Sequence, residues 1–173
     1  MEQAAVIRAA DPAEHQLLTV ISFRSKSYWA YPEEYFQIWN DELTITPSYI
    51  QQNEVFVCEL EEKVVGYYAL VELTEALVFS GVELEAGLWL DHMFIRPESI
   101  GTGLGQTLFL HCRSRLSKRE ATRLNILADP NALGFYLKMG CVYCGDYPSS
   151  IPGRTTPRLI YVPDGDNLSQ KED

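Results

Sequence analysis

LWLDHMFIRPESIGTGLGQTLFLHCRSRL, residues 88–116, reads as a strand, a sharp glycine turn and a helix in succession. Period-2 alternation puts Trp89, Met93 and Ile95 on one side and Leu90, His92 and Phe94 on the other. Both sides are mostly apolar, the pattern of a strand buried in the middle of a sheet. Pro97 has no N–H to give to a ladder, so the strand is expected to stop near it. Gly101-Thr102-Gly103-Leu104-Gly105 follows, and Leu104, Leu108, Cys112 and Leu116 then recur at helical spacing. A glycine turn that opens a helix leaves N–H groups without intrahelical partners, backed by the positive end of the helix dipole. Such a corner is a cradle for phosphate oxygens. The plainer alternative is a tight strand-to-helix turn that binds nothing.

Outward from this stretch, residues 4–10 read as a first strand, and Asp11-Pro12 as a helix start with Asp as cap and Pro in the first position. That helix carries Leu17, Leu18 and Ile21 and reaches toward Phe23. A second begins after Pro32 and includes Tyr35, Phe36 and Trp39, in the most aromatic segment of the chain. EVFVCEL (54–60) and VVGYYALVEL (64–73) form a hairpin across Glu61-Glu62-Lys63. A loop over 74–81 leads to the central strand. RLNILA (123–128) is another buried-type strand, Asp129-Pro130-Asn131 starts a helix that ends at Gly140, and strands at 141–147 and 157–162 close the chain. The order is β-αα-βββ-α-β-α-ββ, a mixed α/β domain around one twisted sheet. Residues 1–162 are expected to form a single domain, and the acidic tail 163–173 (PDGDNLSQKED) to be disordered.

Composition excludes several classes. Hydrophobic residues at 46% and charged residues at 22% are ordinary for a soluble globular protein, and a net charge of −10 argues against nucleic acid as a partner. No stretch suits a membrane span or a signal peptide, so the expected place is the cytoplasm, with no membrane partner. Arg113, Arg115, Lys118, Arg119 and Arg123 cluster on and after the glycine-loop helix, where a solvated face is a better reading than an anion patch. Cys141 and Cys144 form a lone CxxC in a strand-like run. With no second pair and scattered histidines, reduced structural thiols and no metal are expected.

Two local signatures resemble the GNAT superfamily of acyl-CoA-dependent N-acyltransferases. The first is a hydrophobic strand, a residue-Pro step and [Q/R]-x-x-G-x-[G/A] opening a helix, matched by Ile95-Arg96-Pro97 and then Ile100-Gly101-Thr102-Gly103-Leu104-Gly105. Ile100 departs from the favoured Gln or Arg. The second is N-x-x-A-x-x-F-Y-x-K-x-G-F, matched from Asp129 through Ala132, Phe135-Tyr136, Lys138 and Gly140 to Cys141, with Asp129 in place of Asn and Cys141 in place of Phe. A dinucleotide-binding reading of the glycines fits poorly, because the spacing is GxGxG and several strands precede it.

The resemblance implies a GNAT-like mixed twisted sheet with helices on both faces. It also implies N-acetyl transfer from acetyl-CoA, as co-substrate, to a primary amine of a small molecule or peptide by direct attack in a ternary complex. Met93, Phe94 and Ile95 would flank the pantetheine arm, and Gly101, Thr102, Gly103, Leu104, Gly105 and Gln106 would take the pyrophosphate. Asp129 and Lys138 become cofactor-contact candidates, and Tyr136 the proton donor to the leaving thiolate. For the base, Asp91 comes first, on the face of Trp89 and Met93; should a bulge break the alternation, His92 takes over. Carboxyls ordinarily titrate near 3.9 and imidazoles near 6.5, which favours an imidazole as base. Glu33, Glu34, Asp41 and Glu42 suit a cationic amine, though an acidic solvated surface explains them equally well. The resemblance leaves room for a homodimer. It also leaves two other readings: a non-catalytic acyl-CoA-binding or sensing module, and an interaction protein that keeps only the scaffold.

Overall fold

The computed structural model describes residues 4–79 and 81–163, so the tail beyond Pro163 lies outside the described residues. Strand β1 (Val6–Ala9) leads through a single 3-10 turn at Pro12–Glu14 into helix α1 (His15–Ser27). The Asp11 carboxylate accepts from the Ala13 N–H at 2.8 Å, and the Glu14 carboxylate accepts from the Asp11 N–H at 2.8 Å. This reciprocal capping box fixes the entry to the helix. Helix α2 (Glu33–Leu43) follows, then α3 (Pro47–Gln52), which the sequence reading missed. Its start signal is Thr46-Pro47: the Thr46 hydroxyl accepts from the Tyr49 N–H at 3.1 Å, with proline in the first turn.

Strands β2 (Glu54–Leu60) and β3 (Lys63–Leu73) form the expected hairpin, turning at Glu61 and Glu62. The segment read as a loop after it holds a second, short hairpin, β4 (Leu77–Phe79) and β5 (Val82–Leu84). The central strand β6 (Gly87–Ile95) therefore starts later than expected. Helix α4 (Leu104–Lys118), strand β7 (Leu124–Leu127), helix α5 (Leu133–Lys138) and strands β8 (Val142–Pro148) and β9 (Thr155–Tyr161) complete the chain. Seven strands make one sheet in the order β1-β2-β3-β6-β7-β9-β8. Among the described residues the β6–β7 pair alone is parallel.

The two faces of this sheet carry separate cores. Leu70, Leu88 and Leu90 pack with Leu104, Leu108, Phe109, Cys112 and Leu116 of α4 and with Tyr136 of α5. On the other face Val57, Tyr67 and Ala69 pack with Leu18 and Ile21 of α1 and Ile50 of α3. A third cluster joins Trp39 and Leu43 of α2 to Ile151. Helix α4 lies close on the sheet because position 66 is glycine: a Cβ there would come within 2.8 Å of Ile95 and 3.3 Å of Leu108. Arg115 of α4 and Arg119 just beyond it pair with Glu54 of β2, and Arg119 also with Glu72 of β3. Among the described residues no helix is long and apolar enough to cross a membrane.

One expectation about β6 is overturned. Ala69 of β3 faces His92 and Leu70 faces Leu90, which leaves Asp91 without a partner. That bulge reverses the alternation beyond it. Met93 and Ile95 pack with the core that holds Leu88 and Leu90, while Phe94 packs against the opposite core. Met93 and Ile95 therefore do not share the face of Trp89, and Asp91 and His92 are not sent to opposite faces.

Candidate active site

The β6–β7 ladder has only two registered pairs, Trp89↔Asn125 and Leu90↔Ile126. Strand β6 runs on to Ile95, whereas β7, paired with β9 along its whole length, ends at Leu127 and continues beside β9, Ala128 donating to the Pro157 carbonyl at 3.0 Å. The sheet thus splits directly after the bulge. At the split lies a cavity of about 480 Å³, lined by Asp91, His92, Met93 and Phe94 on the β6 side and by Ala128, Asp129, Ala132 and Tyr136 opposite. Its remaining walls come from α1 and α2, the β4–β5 hairpin and the turn between β8 and β9.

The bulge brings Asp91 and His92 together, the His92 Nε2 lying 3.4 Å from Asp91 Oδ2. The Tyr49 hydroxyl donates to the same oxygen at 2.5 Å. Burial first, and then the neighbouring Asp91 charge, push the Tyr49 phenol far above its ordinary range, so it remains a donor to Asp91. The imidazole is wedged among the rings of Tyr49, Tyr67 and Phe94, at 5.9, 6.1 and 5.6 Å between centroids. Its side chain is 10% exposed, against 40% for Asp91. Both line the cavity, and Asp91 is the more exposed of the two.

Tyr136, on α5, also lines the cavity, its ring held by Phe109 and Phe135 at 6.2 and 5.1 Å. Its hydroxyl has no hydrogen-bond partner among the described residues. Burial, reinforced by the nearby Cys141 and Cys112, pushes its pKa well up, so it holds its proton at any physiological pH. Burial likewise pushes the Cys112 and Cys141 thiols up to about 12. Neither is a thiolate nucleophile near neutrality.

Asp129 lies in a network that the sequence did not reveal. Its carboxylate accepts from Lys26 Nζ at 2.8 Å, from the Tyr31 hydroxyl at 2.9 Å and from the Asn131 N–H at 2.8 Å. Burial alone would raise its pKa, but the Lys26 ammonium together with the hydrogen bonds from Asn131 and Tyr31 outweighs burial and holds it below the usual carboxylate range. The same burial lowers the Lys26 pKa, with Asp129 opposing the change. Arg154, from the turn between β8 and β9, donates to the Tyr31 hydroxyl at 2.9 Å. Three segments far apart in sequence meet at this wall. The aromatic run 27–39 hinted at Tyr31 and Trp39; nothing local pointed to Lys26 or Arg154, or to the Tyr49–Asp91 bond.

The glycine loop lies outside the cavity lining, at the far end of β6. Gly101 and Gly103 have φ of +81° and +87°, a region that side chains avoid. Thr102 and Gln106 are exposed, Leu104 is buried, and Gly105 sits against Phe135, where a Cβ would come within 3.2 Å. The first turn of α4 carries no side-chain cap. Its N–H groups are therefore open to an anion. Ile95 packs in the α4 core, and Lys138 is exposed and away from the cavity. Among the described residues no group of three or more His, Cys, Asp or Glu is placed to hold a metal.

The fold is shared with solved N-acetyltransferases. A GCN5-related N-acetyltransferase from Rhodopseudomonas palustris superposes with a TM-score of 0.74 at 19% identity, over 94% of this chain and 98% of that one. The PaiA N-acetyltransferase of Thermoplasma acidophilum, solved with coenzyme A, gives 0.64 at 15% identity, over 92% and 99%. The ribosomal-protein-S18-alanine N-acetyltransferase of Escherichia coli gives 0.63 at 16% identity, over 92% and 94%. A sequence comparison with curated proteins gives no match. The acetyltransferase (GNAT) domain model matches residues 51–140, more than half of the sequence, and the chain belongs to that family.

Proposed function

We propose that the protein transfers an acetyl group from acetyl-CoA to the primary amine of a small molecule or peptide, by direct attack within a ternary complex. The observation that carries this reading is the cavity at the β6–β7 split, with Asp91 and His92 on one wall and Tyr136 on the other. The residues fit the cofactor. Open N–H groups at 101–106 suit its pyrophosphate, and the edge of β6 from Met93 to Ile95, which has no partner on the β7 side, suits the extended pantetheine arm. When bound, the acyl thioester supplies the electrophilic carbonyl.

Transfer forms a C–N bond, breaks a C–S bond and moves two protons. Asp91, backed by His92 and fixed by Tyr49, accepts the proton that the amine must lose. Tyr136, which burial keeps protonated at physiological pH, gives its proton to the departing sulfur as negative charge builds there. With Cys112 and Cys141 held as thiols, no acyl-enzyme step at either is required. Two measurements test the reading: titration of acetyl-CoA into the protein by calorimetry, and thiol release from acetyl-CoA across a panel of amines. Binding with release supports it. Binding without release from any amine favours the non-catalytic module, and no binding at about millimolar concentration overturns the account.

A further inference from the structure

The second inference rests on the acetyl-transfer reading and concerns the acceptor. Lys26 and Asp129 are 13% and 12% exposed and 2.8 Å apart, so their charges cancel. Arg154 is left over. Its closest carboxylate oxygen, Asp129 Oδ2, is 3.9 Å away, beyond hydrogen-bonding reach. Nη2 donates to Tyr31, while Nε and Nη1 donate to nothing among the described residues. A guanidinium cannot shed its proton, and its idle donors, which keep contact with solvent, stand free to meet an anion. Yet this group is ordered: the side chain is 15% exposed and lies over the rings of Tyr31 and Trp39, at 4.9 and 5.3 Å. Asp41 and Glu42 also line the cavity, and the Glu42 charge is felt at Lys26, but among the described residues neither carboxylate forms an ion pair with Arg154.

The same cavity carries the opposite charge at the Asp91–Tyr49 bond, on the β6 side. A net positive charge at one place and a net negative one at another suit a zwitterion better than the cationic amine that the acidic composition suggested. The rest of the lining includes Leu73, Leu77, Phe79, Val82 and Leu84, all apolar. We propose that Arg154, steadied by Tyr31 and Trp39, pairs with a carboxylate of the acceptor, and that the acceptor is a free amino acid with an apolar side chain. A planar fork with two unused donors matches a carboxylate bidentately. Lys26, Tyr31, Trp39 and Arg154 all fall outside residues 51–140, so this device belongs to the part of the chain that the family model does not describe.

The test compares L-leucine, L-methionine and L-phenylalanine with their carboxamides, titrated by calorimetry into the protein saturated with coenzyme A. At least one acid is expected to bind about 10-fold or more tightly than its amide, and Arg154→Gln should bring that ratio to about 1. Arg154→Lys, which keeps the charge but loses the fork, should retain only part of it. Amides that bind as well as the acids, or no acid binding at about 10 mM, would overturn the proposal. An acid preference lost in Arg154→Gln, but with no thiol released from acetyl-CoA, would sink the transfer reading and leave the carboxylate site standing.

Discussion

Tyr136→Phe removes one oxygen and nothing else from the wall of the cavity. The hydroxyl has no hydrogen-bond partner among the described residues, so its loss orphans no other polar group, and Phe109, Phe135 and the α4 core keep their contacts with the ring. Stability is therefore expected to change by less than about 1 kcal/mol, readable by urea unfolding. Turnover is another matter. General acid catalysis contributes roughly 10²- to 10⁴-fold, and a thiolate leaves more readily than an alkoxide or an amine, which places the loss at the low end. An expected fall in kcat of about 100-fold corresponds to about 2.7 kcal/mol of barrier. The assay is thiol release at saturating acetyl-CoA with whichever amine turns over fastest, paired with calorimetric binding of coenzyme A. A kcat within about threefold of the parent, or a weakening of coenzyme A affinity as large as the loss in kcat, would refute the donor role.

Three further outcomes follow from the same geometry. Gly103→Val should strongly weaken coenzyme A binding by calorimetry while circular dichroism stays native. The φ of +87° costs a branched residue about 1–3 kcal/mol, and no atom lies within 4 Å of the new Cβ to force wider disruption. Asp129→Asn should lower stability at pH 7 by about 3 kcal/mol, because Lys26 keeps its burial and loses its counter-charge. The Asp129 pKa is depressed in the folded state, so its contribution is present above the unfolded value of 3.8 and lost as pH falls through the folded one. In urea unfolding the gap between parent and variant should therefore shrink at acid pH; a gap equal at pH 7 and about pH 2.5 would contradict this. Tyr49→Phe removes the donor to Asp91 but leaves the cavity's shape. Because Asp91 is 40% exposed, water replaces part of the bond, and a stability loss of about 1 kcal/mol with a larger proportional fall in kcat than in acetyl-CoA affinity is expected. Unchanged kcat would remove Tyr49 from the machinery.

Sequence by itself determined what depends on neighbours along the chain. The stop of β6 near Pro97, the glycine turn into α4, and the Asp11 and Asp129 caps are all local preferences, and each lies where it was read. The two motifs that resemble the family lie within such local units, which is why membership was legible before any coordinates. The third helix was also written locally, in Thr46-Pro47, and was passed over. Tertiary structure alone decided the rest. Whether Asp91 and His92 part or meet depends on how β3 pairs with β6, and the bulge there moves every later side chain to the other face. The Lys26–Tyr31–Asp129–Arg154 wall joins residues up to 128 positions apart, since Lys26 and Arg154 come from the two ends of the chain. Backbone preferences act over a few residues, whereas a charged pair in a cavity exists only where folding has brought its members together and removed the water between them.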